Sequence, residues 1–102
     1  MDHNSPPTPV VSVIWFRETE FEAMKRLMVD GKTAFGSYEE WLQSARLGEQ
    51  HQRRAGHKLI RATIHPKEFK SWCQSRNLSF DANSRKLFAD WYAQEELLST
   101  RT

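Results

Sequence analysis

The sequence has a single cysteine, Cys73, among its 102 residues. A lone thiol closes no internal disulfide, so nothing here calls for an oxidising compartment. No run of about 18 apolar residues occurs. The longest, Val10-Val11-Ser12-Val13-Ile14-Trp15-Phe16, is too short to cross a bilayer. The stretch before it carries no lysine or arginine, and no small-residue cleavage site follows, so a secretory signal is not expected. Glycine is scarce: Gly31, Gly36, Gly48 and Gly56 are isolated, and none belongs to a phosphate-cradling loop. These absences lead to the expectation of a cytoplasmic protein without membrane contact and without cofactor.

Aromatic residues, in contrast, are plentiful. Four Trp, six Phe and two Tyr make up 12% of the chain. Each buried aromatic removes roughly 150–250 Å² from water. One core is therefore within reach without disulfides or metals, and 27% charged residues supply its solvated surface. The length suits one domain. The expected organisation is a flexible, proline-rich leader over 1–9, one domain over 10–99 and a short tail at 100–102. The leader contains a PxxP spacing, Pro6-Pro7-Thr8-Pro9, which suits a polyproline II ligand but also an ordinary terminal tail.

Patterning predicts an α+β fold in the order strand–helix–helix–strand–helix–helix, with a short two-stranded sheet covered by helices. The first strand, Val10 to Phe16, is β-branched or aromatic on both faces, which suits a strand covered on both sides. Thr19 and Glu22 have the spacing of a capping box and predict the start of helix one, whose stripe is Phe21, Met24, Leu27 and Met28. Gly31 is expected to end it in the left-handed region. Ser37 and Glu40 repeat the box for helix two, with Tyr38, Trp41, Leu42 and Ala45 as its apolar side. Beyond Leu47 no apolar face remains, so that helix either projects into solvent or frays after Gly48. A second strand over 57–65 should turn Ile60, Ala62 and Ile64 one way and Leu59, Arg61 and Thr63 the other. Pro66 suits the first position of helix three, which buries Phe69, Trp72 and Cys73. Asn77 is the expected left-handed cap. Helix four starts at Asp81 or Asn83, with a stripe of Leu87, Phe88, Trp91, Tyr92 and Leu98.

Charge is the most informative functional feature. From Arg46 to Arg76 there are eight basic and two acidic residues, whereas 17–40 holds four basic and six acidic. A basic segment attracts phosphates or acidic protein surfaces. Arg46, Arg53, Arg54, Lys58 and Arg61 are the expected contacts. Helices three and four also have the outline of a helix-turn-helix, opening on Asn83, Ser84, Arg85 and Lys86, but the break lacks the usual glycine and the body of helix four is apolar or acidic, which favours an ordinary packed helical hairpin. Catalytic constellations are missing: His57 and His65 lie too far apart along one strand to share a metal, and His65 with Cys73 gives two ligands where zinc needs three or four. The favoured expectation is a non-enzymatic protein-interaction module, and the alternative is a small regulatory nucleic-acid-binding protein using the segment 46–76. Because strand one carries no charge, internal proline or glycine, its edge is unguarded, and a homodimer through that edge is expected.

Overall fold

The computed structural model describes residues 9–99. The expected tail, and the expected leader with its PxxP spacing apart from Pro9, lie outside the described residues. The chain runs β1 (Val10–Trp15), a 3-10 turn (Glu18–Glu20), α1 (Phe21–Leu27), α2 (Gly31–Ala34), α3 (Tyr38–Arg54), β2 (Lys58–Thr63), α4 (Pro66–Gln74) and α5 (Ala82–Ser99). The fold is α+β, as the patterning predicts.

β1 and β2 pair in parallel, with Val10 opposite Lys58 and Trp15 opposite Thr63. A parallel pair needs a long crossover, and α1 to α3 supply it. Side chains alternate across the sheet, so each face meets a different helix. Trp15 packs edge-on against Trp41 of α3, ring centroids 5.1 Å apart. On the opposite face Ser12 Oγ donates to Asp90 Oδ1 of α5 at 2.8 Å. The two strands are thus held between α3 and α5.

Aromatic rings form the core in two groups. Phe16, Phe21, Phe35, Tyr38 and Trp41 interlock at 5.0–6.0 Å around the end of β1. Phe88 joins Phe69, Trp72 and Trp91 at 5.3–5.6 Å beneath α4 and α5. Buried Met24, Ile64 and Cys73 belong to the same core.

Several local expectations are corrected. The capping box of Thr19 and Glu22 does not form, because Thr19 lies inside the 3-10 turn and α1 begins at Phe21 without a side-chain cap. Glu20 meets His65 Nδ1 at 2.7 Å instead, a partner 45 positions away in the sequence. Gly31 is not left-handed. It starts α2 with its backbone so close to α1 that an added Cβ would overlap the Lys25 carbonyl. Among the described residues the left-handed positions are Gly56 (φ 89°) and Asn77 (φ 56°), the latter as expected. Of the two courses expected for α3 beyond Leu47, the helix continues to Arg54 rather than fraying at Gly48, with Glu49 buried and held by Arg61 of β2. The Ser37–Glu40 box closes in both directions. In α5, Asp81 caps the Ser84 N–H. The buried side of α5 is Ser84, Arg85, Phe88, Ala89 and Ala93. Leu87 and Leu98 are 42% and 52% exposed. Small Ala89 and Ala93 let the helix lie close to its neighbours. Arg85 is buried because its guanidinium forks onto both Asp30 oxygens at 2.8 and 3.0 Å.

Candidate functional site

The outer edge of β1 has no neighbouring strand among the described residues. In a parallel pair, alternate residues turn both peptide groups toward the neighbouring strand and the rest turn them away. The Pro9 carbonyl accepts from Lys58 N–H and the Trp15 carbonyl from Ile64 N–H, each at 2.9 Å. Odd-numbered positions therefore face β2, and Val10, Ser12 and Ile14 point their N–H and C=O groups outward. No described strand lies on that side. A cleft of about 650 Å³ follows the edge. Trp41, Ala45 and Gly48 of α3 form one wall, and Lys86, Ala89 and Asp90 of α5 the other. The outer edge of β2 differs, because Lys58 and Arg61 place charge on that strand, a common guard against pairing.

The five basic residues singled out from the sequence have separate fates. Arg61 is committed: its Nε and Nη2 donate to Glu49 Oε2 and Oε1, both at 2.8 Å. Its guanidinium also lies 3.7 Å from the centroid of the Trp15 ring. Glu49 is only 2% exposed, and the Arg61 hydrogen bonds hold its carboxyl below the usual range, aided by the charges of Arg61, Arg53 and Arg46. Arg53 reaches the same carboxylate at 4.0 Å. Arg46, Arg54 and Lys58 are exposed and have no ion-pair partner among the described residues.

The rest of the basic segment is divided elsewhere. Lys67 and Lys70 line a depression with Arg26 between α1 and α4. Arg76 stacks 4.3 Å from the Trp72 ring centroid. The run of charge from Arg46 to Arg76 thus serves three local environments. The sequence reading missed Glu49, although it is the single acidic residue between Arg46 and Lys58, and that isolation was the available signal.

Other chemistry is absorbed by the fold. Cys73 is buried, and burial pushes its thiol up, the opposite of an activated nucleophile. His65 engages Glu20. Ser84 and Arg85, two of the four residues that would open a recognition helix, are buried. Among the described residues no three His, Cys, Asp or Glu side chains come together to hold a metal ion, and no helix is long and apolar enough to cross a membrane. No family model matches the chain, nor do the searches of curated proteins and of solved structures find a match.

Proposed function

We propose that this chain is a non-enzymatic interaction module that takes up an extended partner segment along the outer edge of β1. The carrying observation is the row of outward peptide groups at Val10, Ser12 and Ile14, set in a cleft between two helices. In strand addition, backbone hydrogen bonds supply affinity and flanking pockets select alternate side chains. Here Trp41 and Ala45 on one wall and Ala89 on the other offer apolar contact, with Lys86 and Asp90 beside Ala89 adding charge of both signs.

The test uses a short Val/Ile peptide made soluble by flanking lysines, followed by amide NMR. Binding should move the amide signals of Val10, Ser12 and Ile14. Ser12→Pro removes one outward N–H and leaves the bonds to β2 intact, so affinity should fall about tenfold or more, near 1.4 kcal/mol. Ser12→Ala, which loses the Asp90 bond but keeps the N–H, is the control. Equal binding by wild type and Ser12→Pro would sink the proposal.

A second reading, nucleic-acid binding, is favoured by exposed Arg46 and Arg54 on α3 and exposed Lys58 at the start of β2. It requires low-salt binding to mixed duplex or single-stranded DNA that Arg54→Glu/Lys58→Glu abolishes without unfolding the protein. Absence of low-salt binding by the wild type removes it.

A further inference from the structure

We propose that the segment taken up is β1 of a second copy, paired antiparallel about a two-fold axis at Val13. This rests on the reading of the β1 edge as a strand-addition site. An occupant seated between α3 and α5 must be extended, and it meets apolar Trp41 and Ala45 on the α3 side and Ala89 flanked by Lys86 and Asp90 on the α5 side. β1 itself is such a segment: Val11, Val13 and Trp15 lie on one face, Val10 and Ile14 on the other, and no charge interrupts them.

Charge on α5 selects the register. Asp90 lies beside Ser12 through the hydrogen bond from its hydroxyl. The start of α5 lies at the other end of β1, because the Arg85 guanidinium is 5.0 Å from the Phe35 ring, which itself packs 5.3 Å from Phe16. α5 therefore runs antiparallel to β1, with Lys86 one turn from Asp90 toward Ile14, and both line the cleft. A two-fold axis at Val13 falls between them and sets Lys86 of each copy against Asp90 of the other. An axis at Ser12 would bring the two Asp90 carboxylates together, and one at Val11 would leave each lysine unpaired. With the axis at Val13, Ser12 and Ile14 of one copy exchange about four backbone hydrogen bonds with Ile14 and Ser12 of the other. Val13 meets its own counterpart. On the α3 side, the space around Gly48 is open, with no atom within 4 Å of where a Cβ would stand. The product is one four-stranded sheet in place of two marginal two-stranded ones.

The experiment is light scattering on sized samples over a range of concentrations, with a charge swap. Wild type should approach twice 12.0 kDa. Lys86→Asp and Asp90→Lys should each raise the dimer dissociation constant about tenfold or more, since each places like charges across the axis twice. Mixed in equal amounts, the two variants should form a heterodimer tighter than either homodimer, which shows at once that both are folded. Arg54→Glu, an exposed position outside the cleft, should leave the dimer in place. A mass of 12.0 kDa at every concentration, or variants that fail to associate on mixing, overturns the proposal. A monomer that still takes the Val/Ile peptide overturns the second copy alone, while a monomer that ignores it removes the edge reading too.

Discussion

Arg61→Met keeps an apolar stem over Trp15 and removes both hydrogen bonds to Glu49. The carboxylate is left 2% exposed with Arg53 at 4.0 Å as its nearest cation. Breaking a buried pair from one side costs roughly 3–5 kcal/mol. Arg61 is 48% exposed, so water already screens the pair, and the expected loss is at the low end, about 3 kcal/mol. Urea unfolding followed by tryptophan fluorescence at pH 7 measures it. Glu49→Gln should cost less, about 1 kcal/mol, because the freed guanidinium reaches solvent. The double variant should fall short of the sum by about 2 kcal/mol. The pH dependence has a definite sign. The folded carboxyl of Glu49 lies below its ordinary value of 4.5, so its contribution is complete above that value and is lost as pH falls through the folded one. In Arg61→Met, burial without the partner raises the same carboxyl, and its penalty at neutral pH fades on acidification. The gap between wild type and variant should therefore be widest near pH 7 and close below 4.5. A cost under about 1 kcal/mol at pH 7, or a gap that widens in acid, would refute this account.

Two further outcomes concern the fold. Gly31→Ala should destabilise by about 2 kcal/mol or more, since its Cβ overlaps the Lys25 carbonyl, whereas Gly48→Ala should stabilise by about 0.5–1 kcal/mol, as the helix there has open space. Equal effects in thermal unfolding would contradict the close approach of α1 and α2. Trp72→Ala should cost about 4 kcal/mol and Trp91→Ala, half-buried, about 2–3 kcal/mol by the same assay; near-zero loss at Trp72 would mean that the ring is not packed as described.

Periodicity and chain punctuation were legible where local chemistry decides. Pro66 opens α4, Ser37 with Glu40 opens α3, and Asn77 takes the left-handed turn. What escaped depends on partners distant in sequence. Glu20 is drawn to His65 rather than to a cap. Arg85 and Glu49 are polar by type yet buried, because Asp30 and Arg61 meet them from 55 and 12 positions away. The same cause mis-set the stripe of α5: with Arg85 anchored inward, the helix turns Leu87 to solvent and seats Ala89 and Ala93. In the candidate site, the uncharged edge of β1 was visible in the sequence. The walls of its cleft were not, since Lys86 and Asp90 acquire meaning only when α5 lies beside β1.

The parallel pairing also governs how the molecule is made. Val10 waits for Lys58, 48 positions later, before it has any strand to bond. At roughly 5–20 residues per second of synthesis, that is on the order of 2–10 s. Over that interval the nascent chain carries a bare, uncharged apolar strand, while α1 to α3 can already coil from local contacts. Sheet closure then comes late, and long-range closure is slow. Refolding from denaturant meets the same delay with many chains present, so its yield falls as concentration rises, through strands that find one another before they find β2.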